Sequence, residues 1–159
     1  MSQKVLQLVE RFFSQRGQQG YTDDSSCFAE DATYELFVSS PKSVRRSWQG
    51  RRAIQDYYSV VQQNYKILYG TPRTLSIESG NAPGTFAVVV NGSELAHLEL
   101  QAQHAWVEWA ASLQIDGDFI KKVTMTIYRF TEISESGLER FLQCSSKNGT
   151  VPTMGQGPT

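Results

Sequence analysis

The stretch Trp48-Gln49-Gly50-Arg51-Arg52-Ala53-Ile54-Gln55-Asp56-Tyr57-Tyr58 stands between a helix-helix-strand opening and a long run of strand-like sequence. That order predicts an α+β fold with a cone-shaped pocket. The stretch itself opens a helix from about Arg51 to Tyr65, which carries Ile54, Tyr57, Tyr58, Val61 and Tyr65 on one side before Gly70-Thr71-Pro72 breaks the pattern.

Upstream, Val5, Leu6, Leu8, Val9, Phe12 and Phe13 recur at helical spacing with Glu10, Arg11, Gln15 and Arg16 opposite, so the chain opens with an amphipathic helix ended by Gly17. A short second helix fits Thr22 to Ala29, where Thr22 or Asp23 can cap and Asp23 and Asp24 complement the helix dipole. Ala32 to Val38 is rich in aromatic and β-branched residues and reads as a strand ending at Ser39-Ser40-Pro41. The expected architecture is a curved, mostly antiparallel sheet packed against three amino-terminal helices.

Downstream, Arg73 to Phe130 is almost all strand-like, punctuated by Gly80-Asn81-Ala82-Pro83-Gly84, by Asn91-Gly92 and by Asp116-Gly117-Asp118. Asp116-Gly117 signals a hairpin, since a primed turn needs positive φ at both central residues, and Asn91-Gly92 is read in the same way.

With 159 residues and 40% hydrophobic content the chain can bury one sizeable core. Residues 1–132 are expected to form a single domain, and 133–159 a carboxy-terminal extension, partly mobile because its end is rich in Gly, Pro, Thr and Ser. A net charge of −1 and basic runs no longer than Arg45-Arg46, Arg51-Arg52 and Lys121-Lys122 argue against nucleic acid as a partner. Cys27 and Cys144 give neither metal-ligand spacing nor a disulfide framework, and no apolar run suits a signal peptide or a membrane span. The reading is a reduced, cytoplasmic protein without metal, so Asn148-Gly149-Thr150 matches a glycosylation acceptor by chance.

Proton transfer near neutral pH favours histidine or a buried carboxylate, and the chain has only two histidines, His97 and His104. In Gln103 to Ser112 a period of two puts His104, Trp106, Glu108 and Ser112 on one face and Val107, Trp109, Ala111 and Leu113 on the other. If the first face lines the pocket, His104 and Glu108 form an acid/base pair beside aromatic walls. If the wholly apolar face turns inward, as such faces usually do, the pair lies outside or in a dimer contact. Tyr34, Tyr57 and Tyr58 can each place a phenol in the cavity to donate to a ligand oxygen, or serve as core residues with one wet end. Phe12, Phe13, Trp106, Trp109, Met125 and Tyr128 supply large side chains for a flat aromatic ligand, and Arg16 or Arg73 could fork a carboxylate. Asp31 is assigned to fixing a turn and Asp56 to the wet face of its helix.

Cys27-Phe28-Ala29-Glu30-Asp31-Ala32-Thr33-Tyr34, the helix start Gly50-Arg51-x-Ala53-Ile54, and Gly117-Asp118-Phe119-Ile120-Lys121-Lys122-Val123 occur in an order that resembles the nuclear transport factor 2-like (cystatin-like) superfamily, in its SnoaL-like branch of polyketide cyclases, isomerases and dehydratases. The resemblance covers roughly residues 4 to 132. Val9 to Gln18 followed by Cys27 to Asp31 is most similar to the phenazine-biosynthesis A and B proteins. Carried over residue by residue, it puts the branch's last-strand glutamate at Met125 and its helix histidine and serine near Tyr57 and Val61. The isomerase tyrosine and aspartate fall at Phe12 and Leu36, so no catalytic set of the superfamily is intact.

The resemblance implies a homodimer and a cofactor-independent cyclase, isomerase or dehydratase of natural-product metabolism, acting on a hydrophobic cyclic or polyketide-like molecule. Glu108, His104 and Tyr57 are the expected catalytic groups, and Phe12, Arg16, Tyr34, Leu36, Tyr58, Val61, Trp106, Trp109 and Met125 the expected substrate contacts. The alternative is a non-catalytic binding or dimeric assembly module of the same fold. Which way Glu108 and His104 point discriminates the two.

Overall fold

Val5, Leu8, Val9, Phe12 and Phe13 fall on one stripe of α1 (Gln3–Phe13), and all five are buried. The computed structural model describes residues 3–16, 23–39 and 43–133, apart from the side chain at position 69. In place of a second helix over Thr22 to Ala29, the described part of that segment holds one 3₁₀ turn, Ser25–Cys27. Asp24 caps it, its Oδ1 accepting from the Ser26 amide at 3.0 Å, and Phe28 already belongs to β1 (Phe28–Val38). A β-rich stretch through Phe28 leaves too few residues for a helix, so the described residues hold two α-helices, the second being α2 (Arg51–Asn64).

The remaining strands are β2 (Val44–Gln49), β3 (Tyr65–Gly70), β4 (Arg73–Ser79), β5 (Thr85–Leu98), β6 (Gln103–Asp116) and β7 (Phe119–Ile133). They form one sheet in the order β2-β1-β7-β6-β5-β3, with β4 also on β5. Every pairing is antiparallel except β1 with β7, which is parallel and puts Tyr34 beside Val123 and Leu36 beside Met125. β3 and β4 lie end to end along β5, the first pairing with Glu94 to Leu98 and the second with Phe86 to Asn91.

The Asp116-Gly117 signal marks a real hairpin. Asp116 pairs with Phe119 across a two-residue turn, Gly117-Asp118. Of the two central residues only Gly117 has positive φ (61°), which is the requirement of a II′ turn and not of a I′ turn. Asn91-Gly92 is no turn: β5 runs straight through it.

Both helices pack on the inner face of the sheet. Phe12 is fully buried there, its ring 4.9 Å from Phe13 and 5.3 Å from Phe28 in edge contacts. Phe12→Ala is expected to lower stability by about 3–5 kcal/mol, the usual cost of emptying a fully buried phenyl site. Urea unfolding checks this through a midpoint that falls without a change in slope. The extension expected at 133–159 lies, from residue 134 onward, outside the described residues.

Candidate functional site

The inner face and α2 enclose a cavity of about 590 Å³. α2 contributes Tyr57, Tyr58 and Val61, one face of a helix at i, i+1 and i+4. Opposite it stand Tyr34 and Leu36 of β1, Val107 and Trp109 of β6, and Met125, Ile127 and Phe130 of β7. Tyr65 and Ile67 of β3 close one side, so the walls are aromatic and aliphatic almost throughout.

The polar exception is a buried cluster built on Arg16. Its Nε and Nη2 fork onto the Asp23 carboxylate at 2.8 and 2.9 Å, and its Nη1 donates to Glu94 Oε1. Tyr58 donates its hydroxyl to Asp23 Oδ2 at 3.0 Å. Glu94 Oε1 also accepts from Trp109 Nε1 at 2.9 Å, and Oε2 accepts from the Tyr65 hydroxyl at 2.5 Å. Asp23 and Glu94 are only 4% and 2% exposed, so these donors replace water around both carboxylates. A carboxylate offers about four lone-pair sites. Among the described residues three are filled at Glu94, which leaves one on Oε2.

Burial works against the Arg16 charge, but Asp23 and Glu94 outweigh it and hold the guanidinium ionised. The tyrosines respond oppositely. Desolvation, reinforced by Asp23, pushes Tyr57 up to about 12, and burial holds Tyr34, Tyr58 and Tyr65 well above the usual phenol range. For Tyr65 the Glu94 charge adds to the effect of burial. All four are therefore neutral hydrogen-bond donors at neutral pH. Tyr57 stacks on Trp48 with centroids 3.9 Å apart, and its hydroxyl has no partner among the described residues, so it is available to a ligand.

The placement of Trp109 depends on Gly92, its neighbour across β5 and β6. A Cβ at position 92 lies 2.6 Å from Trp109 Cζ2 and 3.2 Å from the Thr71 carbonyl oxygen. Glycine is thus required for the close approach of an indole, which is why a dipeptide with turn chemistry sits inside a strand. With that room the indole reaches Glu94, stacks 5.5 Å from Phe13 and lies 4.7 Å from Arg16 Cζ. Gly92→Val is expected to cost about 1–3 kcal/mol by overpacking and to shift tryptophan emission as Trp109 leaves Glu94. Thermal melts and emission spectra of the variant check both effects.

Of the residues expected from sequence, Arg16, Tyr34, Leu36, Tyr57, Tyr58, Val61, Trp109 and Met125 line the cavity. Four do not. Phe12 is spent in the core between α1 and the sheet. His104, Trp106 and Glu108 lie on the outer face of β6, because Val107 and Trp109 take the inner one. Glu108 there faces Arg129 at 3.5 Å, burial raising its pKa while Arg129 opposes the rise, and the His104 ring lies 4.7 Å from that of His97. Trp106, although on the outer face, is 2% exposed, whereas Tyr128 on the same face is 44% exposed.

Other expectations shift too. Arg16 reaches the cavity, but its fork is taken by Asp23. Arg73 is exposed on β4 and off the cavity lining. Asp31 lies in β1, not in a turn, and accepts from Lys121 at 2.5 Å, which lowers its pKa. Asp56 is on the wet face of α2 as expected. Glu94 was not singled out from sequence, although it follows from the period of two along β5: Val88, Val90, Gly92, Glu94 and Ala96 share the inner face.

Among the described residues no group of three or more His, Cys, Asp or Glu side chains is placed to hold a metal ion, and no helix is long and apolar enough to cross a membrane.

The chain matches no family model and no curated protein in sequence. It does match solved structures. A phenazine biosynthesis-related protein from Pseudomonas aeruginosa superposes with a TM-score of 0.55 at 14% identity, over 78% of this chain and 79% of that one. A hexachlorocyclohexane dehydrochlorinase gives 0.59 at 11% identity, over 83% and 88%. A nuclear transport factor 2-like protein from Burkholderia xenovorans gives 0.58 at 17% identity, over 79% and 89%. These identities carry the fold and not the activity, and the chain has the fold of the nuclear transport factor 2-like superfamily.

Proposed function

We propose that this protein encloses a largely apolar, ring-bearing small molecule and rearranges it by proton transfer without a cofactor, as a cyclase, isomerase or dehydratase of natural-product metabolism. The observation that carries the reading is Glu94, a carboxylate with one lone pair uncommitted among the described residues, in the wall of a largely apolar cavity. Glu94 takes the role that sequence assigned to Glu108 and His104. Tyr57 donates to a ligand oxygen and stabilises negative charge that develops on it. The apolar walls hold one reactive conformer, which can supply a large part of the rate.

A second reading, a carrier, is favoured by the outward placement of Glu108 and His104, and by the three donors already on Glu94, an arrangement that also suits a purely structural carboxylate. Homodimerisation is proposed from the sequence resemblance, with Tyr128 and its neighbours on the outer face as the contact.

Incubating the protein with a panel of cyclic ketones and polyketide-like rings, followed by mass spectrometry of the products, tests the enzyme reading. For any compound converted, Glu94→Gln is expected to lower turnover by about 10²–10⁴-fold, the range for a proton-transfer group. Glu108→Gln is expected to leave turnover unchanged. Full turnover in Glu94→Gln removes Glu94 from the mechanism, whereas binding across the panel with no conversion favours the carrier.

A further inference from the structure

Among the described residues the charges at the cavity do not balance. Two buried carboxylates, Asp23 and Glu94, face a single guanidinium, and the Arg16 fork is closed on Asp23 by two hydrogen bonds. Glu94 holds only the remaining nitrogen, Nη1. Among the described residues the cavity lining contains no lysine and no histidine, and its one other charged residue is a third carboxylate, Glu132 at the exposed rim. An uncompensated charge in an apolar cavity is costly, and the cost falls when a cation arrives. The lining also presents the rings of Tyr34, Tyr57 and Tyr58, whose negative faces attract organic cations. A ligand carboxylate finds the reverse: all three nitrogens of Arg16 are engaged, and the nearest unpaired acceptor repels it.

We infer that the cavity takes a ring-bearing organic cation, a protonated amine, whose N–H donates to the free lone pair of Glu94 Oε2 while the ring lies among the tyrosines of α2 and β1. The inference rests on the cavity being the ligand site and narrows the substrate class within that reading. It reverses the role that sequence assigned to Arg16, since the residue closes off an acid instead of receiving one.

The test uses the full chain and three probes of one ring and different charge: 1-naphthylmethylamine, 1-naphthylmethanol and 1-naphthoate, titrated calorimetrically at neutral pH. The amine is expected to bind about tenfold or more tighter than the alcohol, and the carboxylate more weakly than either, as complementary and like charges dictate. Glu94→Gln is expected to erase the preference for the amine while keeping the affinity for the alcohol. Equal binding of amine and alcohol overturns the cation assignment but leaves the cavity as the ligand site. Tightest binding of the carboxylate overturns it as well, as does an amine preference that survives Glu94→Gln. Failure of all three probes to bind overturns both the assignment and the cavity reading. If Glu94→Gln does not fold, the ranking of the three probes on the unsubstituted chain decides.

Discussion

Arg16→Met will leave the chain destabilised by about 3–5 kcal/mol, a large share of the roughly 5–15 kcal/mol that holds a domain of this size folded. The side chain is 8% exposed and sits between two carboxylates that are themselves 0% and 3% exposed. Removing it strands two charges that are almost wholly buried. Burial disfavours the guanidinium itself, and only Asp23 and Glu94 together outweigh that cost, so the three groups stand or fall as a unit. The triple change Arg16→Met, Asp23→Asn, Glu94→Gln should therefore recover much of the loss, because no charge remains to be stranded. Urea midpoints for the single and triple variants measure this. A loss under about 1 kcal/mol for Arg16→Met, the size of an exposed pair, contradicts a dry cluster.

The second large effect is alkaline unfolding. Tyr34, Tyr57, Tyr58 and Tyr65 all have folded pKa values raised above the ordinary value of 10.0. Below the unfolded value both states carry the phenol proton, and the groups do not favour either state. Above it the unfolded chain releases the protons and the folded chain keeps them, so stability falls as pH rises toward the folded values. Each tyrosine removes about 1.4 kcal/mol per pH unit, so the four together remove about 5.6 kcal/mol per unit, until Tyr57 begins to ionise in place near 12. The expected result is one cooperative transition above pH 10 in which phenolate absorbance and the loss of helical circular dichroism coincide. Phenolate appearing in full near pH 10 with the fold intact contradicts the burial of these side chains.

Much of the fold was legible because its signals are local. The apolar stripe of α1, the face of α2 and the Asp116-Gly117 hairpin each depend on spacing within a dozen residues. The misses depend on partners far along the chain. Gly92 signals a turn until Trp109, seventeen positions on, is known to press against it. Asp23 reads as a helix cap, but its carboxylate belongs to Arg16 and Tyr58. β2, with Arg45 and Arg46 exposed, shows no apolar alternation and is held by its ladder with β1. Of the eight expected site residues that reach the cavity, all but Arg16 were legible because aromatic and aliphatic character marks its walls. The acid was missed because breaking β5 at Asn91-Gly92 hid the period of two that puts Glu94 on the inner face. The same period along β6 correctly separates Glu108 from Trp109. It leaves open which set turns inward, and the packing of helices on the sheet decides that.

The central claim, that the space between α2 and the sheet is the ligand site, is most directly tested by filling it. Val61 lines the cavity from α2, and Val61→Trp inserts an indole into it. Calorimetric titration of 1-naphthylmethylamine into the unsubstituted chain and into Val61→Trp should show affinity lost by about tenfold or more, the size expected when a large side chain takes the volume a ligand fills, with native circular dichroism retained. Undiminished affinity in a folded Val61→Trp protein contradicts the account, because the ligand then binds elsewhere.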